Sequence, residues 1–506
     1  MIDSKRIAKN TGFLYVRMLI IMFVSLYTSR VVLDVLGVDD YGLYNLVGGI
    51  VGMLTFLNGT LSTATSRFLT FDIGIGDFKR LKQTFNTTLI AHLVLGVLVI
   101  LIMETVGLWY VYNKAIIPVE RLDPTLYVFH ISVATVLVTF TQVPYTSLIM
   151  AHEQMKAFAY ISLLEVILKL TIAYLITISP IDKLVFYAIL MFVSQMSVAM
   201  IYRSYCYKHW KESHISWEIN FSTLKNLLSF SGWNIIAHIA ETFRVQGLIM
   251  LFGMFFQPMV IAAQSIATQL SNGITQFTNN FRSAINPQII KLYATKDYEE
   301  SKKLTIESSI YIYELYLLFG IPIFLLIEPI MHLWLKEVPE YAVAFSRCII
   351  ASAMFGVFSG GFYTPLTAAG KLKGNSIAAL CICGGQFVIA YILLKTGQDV
   401  MFVQYSYILV AMIFGLIVKP YLLIREVNYN ITDFTNCFKK TFTIFVSSFI
   451  LPFILFLMVD VNTIAGFILV GATSVLSVIT VSYLFLPKKI KIMIPSLIKK
   501  KFGIGQ

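Results

Sequence analysis

Charged side chains lie inside long apolar runs of this sequence, where they could hold a ligand within a membrane. Arg17 and Arg30 lie in the first such run, and Lys169 lies in a later one. A charge at the centre of a membrane helix costs about 2.5–3.5 kcal/mol on insertion scales, so such a residue usually faces a cavity or a partner. These three residues are therefore candidates for binding a charged ligand.

Two neighbouring apolar runs carry the densest polar chemistry. In the run at 226–254, four polar side chains fall within an arc of about 120° if the run is helical: Asn234, His238, Glu241 and Arg244. The run at 259–281 has a polar residue every three or four positions, up to its inner end: Gln264, Thr268, Asn272, Thr275, Asn279 and Arg282. This spacing predicts a polar stripe along one helix face, which should avoid lipid. Lining of a cavity is the favoured interpretation, and hydrogen bonding between helices is the alternative.

Each charged residue also has a purely structural interpretation. Lys169 and Arg244 each have an acid within one helical turn, so both can be neutralised inside their own helices. Arg30 can pair with Asp34 or reach the outer headgroups. Arg17 has no acid within a turn, which favours a cavity role. Arginines without an acid indicate an anionic ligand, because the guanidinium donor fork matches phosphate. Neighbouring amides and hydroxyls would suit a sugar.

The composition requires these residues to lie in a membrane protein. Of 506 residues, 57% are hydrophobic and 13% are charged, whereas soluble domains carry about 25% charged residues. Apolar runs of the roughly 20 residues that a spanning helix needs recur along the whole chain. We therefore predict an all-α integral membrane protein with about 14 transmembrane helices. The predicted spans lie near residues 11–36, 42–64, 87–111, 126–149, 157–179, 184–205, 226–254, 259–281, 307–329, 342–368, 375–395, 401–423, 441–459 and 463–486.

Lysines and arginines are distributed unevenly between the predicted loops. With the N-terminus placed inside, only five of the 39 basic residues lie in outer loops, namely Lys114, Arg121, Lys183, Lys336 and Lys395. Five more lie within spans, and the remainder lie in inner segments. Because basic residues stay on the cytoplasmic side, both termini are predicted to be cytoplasmic. The net charge of +12 then reflects topology and an anionic inner leaflet, and predicts no nucleic-acid partner.

The loops are too short to form a separate catalytic domain. The sequence has no phosphate-binding loop, no dinucleotide-binding glycine pattern and no zinc-type cluster, and its five cysteines indicate neither disulfides nor a metal site. We therefore predict that the protein is not an enzyme and holds no cofactor or metal. Gly48 and Gly52 form a pair with four-residue spacing, which predicts close helix packing in the second span.

The chain shows signs of an internal duplication. A stretch around Ser66-Arg67-Phe68 is similar to one around Phe281-Arg282-Ser283, and each follows an apolar helix that begins near a Leu-Gly or Phe-Gly pair. Spans one to six and seven to twelve then form two equivalent lobes, residues 1–205 and 206–424. Two extra spans and a basic tail follow at 425–506. Parallel repeats of this kind occur in transporters that bind substrate between the two halves.

Several segments resemble the bacterial polysaccharide and O-antigen flippases. These are Leu26–Leu33, Asp40–Gly49, Ala151–Glu153 and Asn286–Ile289, and the similarity extends over nearly the whole chain. The superfamily that contains these flippases, the multidrug/oligosaccharidyl-lipid/polysaccharide exporters, also includes multidrug exporters and the lipid II flippase. The resemblance implies two six-helix lobes around a central cavity that opens alternately to each side of the bacterial inner membrane.

The resemblance also implies the cargo, an undecaprenyl-pyrophosphate-linked oligosaccharide such as a repeat unit of O-antigen, capsule or exopolysaccharide. Such a flippase moves its cargo from the inner to the outer leaflet, with Arg17, Arg30 and Arg244 as candidates to meet the pyrophosphate. The energy source, whether protons, sodium or membrane potential, stays open. Membrane lipids and other glycan-assembly membrane proteins are candidate partners. The complete predicted substrate-binding set is Arg17, Arg30, Arg244, Lys169, Asn234, His238, Gln264, Thr268 and Asn272.

The sequence is also compatible with two other functions. A cation-coupled multidrug exporter of the same superfamily would need acidic cavity residues, for which Glu104, Glu241 and Glu314 are available. The arginines without acid partners argue against that alternative. A membrane glycan polymerase or ligase would usually need a large outer loop, and the chain has none.

Overall fold

The computed structural model of the chain describes residues 4–216, 219–486 and 491, and this part is helical without any strand. Short breaks separate the helices along the chain. The first ten helices are α1 (Ser4–Leu36), α2 (Val38–Gly52), α3 (Phe56–Ile75), α4 (Phe78–Ile102), α5 (Leu108–Asn113), α6 (Leu122–Ala151), α7 (Met155–Leu175), α8 (Lys183–His209), α9 (Phe221–Phe255) and α10 (Pro258–Ala294). The others are α11 (Tyr298–Leu325), α12 (Ile327–Trp334), α13 (Ala342–Gly361), α14 (Tyr363–Ala368), α15 (Leu372–Lys395), α16 (Val400–Ile413), α17 (Lys419–Val427), α18 (Ile431–Met458) and α19 (Ile464–Phe485).

The helices confirm the predicted class of all-α membrane protein. Within the described residues, eleven helical segments are long and apolar enough to cross a membrane, or twelve if the bent pair α2–α3 is one span. The predicted number of about 14 is thus approximate. The difference concerns α9 and α10, which have 35 and 37 residues and cover two of the predicted spans. The polar stripe lowers the hydropathy of α10, and the side chains in the first part of α9 are only partly described.

Capping residues in the sequence define where several helices begin. Asp77 accepts a hydrogen bond from the backbone of Arg80 at the start of α4. Asn220 does the same for two backbone amides at the start of α9. Asn430 and Asp433 form a reciprocal capping box at the start of α18. Each such cap stabilises its helix by about 1 kcal/mol, so the helix boundaries follow from local sequence.

The chain divides into two compact units. The first contains Met1–Ile266, Trp334–Ala342 and Ser376–Val403, and the second contains Ala267–Leu333, Val343–Asn375 and Gln404–Gln506. The first unit therefore takes in two segments from the later part of the sequence. The lobe boundaries at residues 205 and 424 stay a prediction.

In the first unit, glycines allow α2 to approach α9 and the start of α10 closely. A Cβ atom at Gly42 would lie 2.1 Å from the Pro258 carbonyl oxygen, and one at Gly49 would lie 2.5 Å from Ile249. Gly52 faces Gln246, whereas Gly48 has open space around it. Gly42, Gly49 and Gly52 therefore form the close-packing face of this helix. Of the predicted Gly48–Gly52 pair, only Gly52 lies on that face.

An ion cluster joins three elements of the first unit. Arg121 donates through its Nε to Asp40 at 2.8 Å and through a terminal nitrogen to Asp182 at 2.6 Å. Burial opposes ionisation of Asp182, but hydrogen bonds from Arg121 and from the backbone amides at the start of α8 outweigh it, and the pKa of Asp182 lies below its ordinary value. The cluster neutralises a basic residue that the sequence places in an outer loop.

Candidate functional site

The predicted site residues of α1 and α7 differ in how far the structure defines them. The side chain of Arg17 lies outside the described part of the chain, and Arg30 is half-buried on α1. Lys169 donates to Glu165 at 2.7 Å, and both side chains are partly exposed. The charge of Lys169 is thus compensated within α7, as the structural interpretation of this pair requires.

The charged residues of α9 are compensated in the same way. Arg244 donates through its Nε to a carboxylate oxygen of Glu241 at 2.9 Å and through a terminal nitrogen to the other oxygen, which makes a two-point pair within one helix. His238, one turn earlier, is exposed, and the side chain of Asn234 lies outside the described residues. Because the pair is neutral as a whole, Arg244 is a weaker candidate for binding an anion than the sequence indicates.

The polar stripe on α10 is present along the helix. Gln264 is buried, Thr268 is half-buried, and Asn272 and Asn279 are exposed. Thr275 donates to backbone carbonyls of its own helix, which satisfies its hydroxyl locally. An exposed run of amides on a helix inside a membrane needs a polar surrounding, and this supports the prediction that the stripe lines a water-filled space.

Arg282, at the C-terminal end of this stripe, forms no ion pair with an acid among the residues that the structure describes. One terminal nitrogen donates to Asn279 Oδ1 at 3.2 Å, while Nε is buried and has no hydrogen-bond partner. Arg282 as a whole is half-buried, but its buried Nε donor is costly without a partner, since an unsatisfied buried donor of a charged group costs about 1–3 kcal/mol or more.

Gly360 of α13 leaves the space that this guanidinium occupies. A Cβ atom at Gly360 would lie 2.2 Å from one terminal nitrogen of Arg282 and 2.4 Å from its Cζ atom. The guanidinium therefore lies directly on the backbone of α13. Nearby, Thr364 donates to Asn286 Oδ1 at 2.8 Å. The second unit thus presents amide, hydroxyl and guanidinium groups on adjoining turns of α10 and α13–α14.

Sequence reasoning placed Arg282 in the stripe but did not include it among the binding residues. It lies at the end of a predicted span, where an arginine is expected to contact water or headgroups. The available signal was the absence of an acid at positions three or four residues away in either direction, which are Thr278, Asn279, Ile285 and Asn286. The contact with Gly360 has no signal in the sequence, because it joins residues on different helices.

Both halves of the chain also place a cation over a tyrosine of a shared motif. In the first unit, Arg203 lies over the ring of Tyr145 at 5.9 Å and donates to Thr141 at 2.6 Å. In the second, Lys419 lies over the ring of Tyr363 at 4.9 Å and donates to Asn375 at 2.5 Å. The two tyrosines begin the segments Tyr-Thr-Ser-Leu and Tyr-Thr-Pro-Leu. This recurrence supports the predicted duplication.

Comparison with known proteins gives similarity in structure only. No protein-family model matches the sequence, and no curated protein matches it. A solved inward-facing multidrug resistance MATE family transporter of the MOP superfamily has a TM-score of 0.67 at 14% identity, over 82% of this chain and 98% of that one. A eukaryotic MATE transporter, AtDTX14, has a TM-score of 0.60 at 13% identity, over 86% and 99%.

A third solved structure is a MOP superfamily transporter from Pyrococcus furiosus, described as having a binding pocket of reverse polarity that suggests a different function. Its TM-score is 0.59 at 16% identity, over 83% of this chain and 96% of that one. All three structures cover most of the chain, and identities this low establish the fold without establishing the cargo. The described helices therefore have the fold of the MATE transporters of the MOP superfamily.

Proposed function

We propose that this protein is a bacterial inner-membrane flippase with both termini in the cytoplasm, which moves a lipid-linked oligosaccharide to the outer leaflet by alternating access. The cargo would carry a pyrophosphate between its polyprenyl tail and its sugars. The observation that carries this proposal is the guanidinium of Arg282, which forms no ion pair within the described part of the chain and keeps a buried donor unused. Arginine binds phosphate oxygens through paired, charge-assisted hydrogen bonds, which are about twice as strong as neutral ones.

The surroundings of this cation suit a phosphorylated glycan. Asn272 and Asn279 expose amides along the same helix, and amides supply both donors and acceptors to sugar hydroxyls. One arginine with neighbouring amides would therefore meet the pyrophosphate and the first sugars together. The polyprenyl tail would remain in the lipid, because moving it from lipid into protein would remove no further apolar surface from water. Arg17 and Arg30 remain proposed contacts from the first unit.

Export of cationic drugs is the second candidate, and the comparisons favour it, since a multidrug resistance MATE transporter and AtDTX14 share the fold. Of the three acids that the sequence offers for such a role, one forms no ion pair among the described residues. Glu314 of α11 is buried and forms no ion pair among the described residues, whereas Glu104 is bound to His130 at 3.0 Å and Glu241 to Arg244. The Pyrococcus furiosus transporter, for which a reversed pocket polarity suggests a different function, indicates that pocket charge is the property to test.

Gene deletion separates the two candidates. A flippase mutant should accumulate a lipid-linked oligosaccharide inside and lose surface glycan, with unchanged drug susceptibility. An exporter mutant should keep its surface glycan and become drug-sensitive, and that outcome would refute the flippase proposal.

Complementation then tests the cation itself. Arg282→Ala should restore little surface glycan, and Arg282→Lys an intermediate amount, because lysine keeps the charge but loses the donor fork. Arg425→Ala is the matched control, since that arginine is exposed and donates to the hydroxyl of Tyr421 at 3.4 Å. Full complementation by Arg282→Ala would contradict the proposed headgroup contact.

A further inference from the structure

A segment of the later part of the chain is bound to α1 in the first unit. Trp334–Ala342 connects α12 and α13, yet it belongs to the first unit. The indole Nε1 of Trp334 donates to the Leu26 carbonyl at 2.8 Å, and Lys336 Nζ donates to Asp34 at 2.6 Å. These contacts join residues 308 and 302 positions apart in sequence, so they follow from the tertiary fold alone.

The two contacts hold the segment at two separate positions along α1. Leu26 and Asp34 are eight residues apart, which is roughly 12 Å along a helix at 1.5 Å per residue. Between the two contacting residues, Leu335 is buried at 2% exposure, so the segment is packed within the protein between its two polar bonds to α1. One hydrogen bond would allow it to pivot, whereas two bonds and a buried leucine define its orientation.

The polar contacts are weak enough to break during a transport cycle. The side chains of Lys336 and Asp34 are 62% and 33% exposed. An ion pair this exposed shifts an equilibrium by about 1.4- to 5-fold. It can therefore favour one conformation without trapping it. The Arg121 cluster near the same end of the first unit is better buried, with its arginine at 26% exposure and Asp40 at 17%, and it joins only elements from the first 182 residues.

The segment Trp334–Ala342 and the Arg121 cluster also differ in how they are connected along the chain. Trp334–Ala342 is continuous at both ends with helices that belong to the second unit, so it is the place where a movement of those helices would pull on α1. The Arg121 cluster has no such connection. Sequence charge bias places Lys336 in an outer loop, at the side where the cargo would leave.

We propose that Trp334 and Lys336 form an outer latch on α1, engaged in one transport state and released in the other. The latch rests on the proposed function only in requiring an alternating transporter, whatever its cargo. Engagement holds the outer end of α1 against the segment. Release frees that end when the cargo leaves, and re-engagement favours the return of the empty transporter.

Charge exchange tests the ionic part of the latch. Asp34→Lys and Lys336→Asp should each reduce transport by about 2- to 5-fold, and the double exchange Asp34→Lys/Lys336→Asp should restore most of it. Arg121→Ala is the comparison, and it should lower thermal stability without being rescued by either exchange. Silent single variants would overturn the latch. So would impaired variants that fold normally and are not rescued in the double exchange.

Cross-linking provides a readout that needs no cargo. Cys381 is exposed and the other four cysteines are buried, so Cys381→Ser gives a background with little reactive thiol. In this background, Asp34→Cys/Lys336→Cys in membrane vesicles should react with a short bis-thiosulfonate linker, but to less than full yield because part of the population is released. Linking should block transport, and a reductant should restore it.

The outcomes of this experiment separate the latch from the proposed cargo. Complete linking with unchanged transport would show a static contact and would overturn the latch. State-dependent linking in a protein whose deletion leaves surface glycan intact would support the latch and refute the flippase proposal. Trp334→Phe, which removes the indole donor but keeps the ring, should lower the linking yield about 2-fold or more, and an unchanged yield would exclude Trp334 from the latch.

Discussion

Replacing Gly360 by alanine should move the Arg282 guanidinium without removing its charge. The added Cβ atom would lie 2.2, 2.4 and 2.5 Å from three atoms of that guanidinium. Real Cβ atoms do not approach other heavy atoms this closely, so the arginine must leave its position on α13. The side chain is flexible and can do so at its far end, which leaves the backbone in place.

The expected cost in stability is small. An off-rotamer or displaced side chain costs about 0.5–1.5 kcal/mol, while exchanging glycine for alanine in a helix gains up to about 1 kcal/mol. These terms nearly cancel. The expected cost in binding is larger, because one charge-assisted hydrogen bond contributes about 1.5–3 kcal/mol, which corresponds to about 10- to 150-fold weaker affinity for a phosphate group.

The assay pairs stability with anion binding on purified protein in detergent. Gly360→Ala should keep its melting temperature within a few degrees and should bind inorganic pyrophosphate at least 10-fold more weakly than the unmodified protein. Gly356→Ala is the matched control, since it lies one turn earlier on α13 with nothing within 4 Å of the added atom, and it should change neither quantity.

A double-mutant comparison identifies the cause. If the glycine acts through Arg282, then Gly360→Ala/Arg282→Ala should bind pyrophosphate no more weakly than Arg282→Ala alone, because residues in contact are not additive. Equal pyrophosphate affinity in Gly360→Ala and the unmodified protein would refute the reasoning, since the anion site would then tolerate a displaced guanidinium.

Two further predictions concern the first unit. Gly42→Ala should destabilise the protein by about 1–3 kcal/mol, seen as a lower melting temperature, because the new Cβ atom meets the Pro258 carbonyl oxygen at 2.1 Å and backbone cannot move aside; Gly48→Ala, in open space, should be neutral, and equal effects would contradict this packing. Asp182→Asn should lower stability at neutral pH and the difference should disappear in acid. The folded pKa of Asp182 is lowered, so its contribution is complete above the unfolded value of about 3.9 and is lost as pH falls through the folded one; a difference that persists at pH 2 would argue that the charge of Asp182 is irrelevant.

The membrane class and most helix positions were predictable from the sequence because they depend on local properties. Apolar runs of spanning length and capping residues such as Asp77 and Asn220 act within a few positions along the chain. The number of spans was harder to predict where a helix is long enough to cross a membrane but carries many polar residues. The sequence analysis counts 259–281 as a span, but the polar stripe lowers the hydropathy of α10, so this helix of 37 residues is not among the eleven described segments that are apolar enough to cross a membrane.

The candidate site was less predictable because it depends on which charges are paired. Acids three or four residues from Lys169 and Arg244 are visible in the sequence, and the structure pairs both of them. Asp34 accepts from Lys336, which is 302 residues away, and the spacing of Arg30 and Asp34 in the sequence does not predict this contact. Contacts of this kind follow from helix packing, so they could not be read from spacing.

The sign of the charge on the cargo depends on which charges of the protein are left uncompensated, whereas the arrangement of the helices depends on packing. Close contacts such as Gly49 on Ile249 set how helices approach, and none of them depends on what is carried. A cation exporter and a pyrophosphate flippase can therefore share a fold at 14% identity. On α9 the charges of Glu241 and Arg244 compensate each other, whereas the stripe of α10 ends in Arg282, which forms no ion pair with any described acid. An anion that binds there would give Arg282 the counter-charge that no described residue supplies, so binding of pyrophosphate at Arg282 is the measurement that separates the two cargo classes.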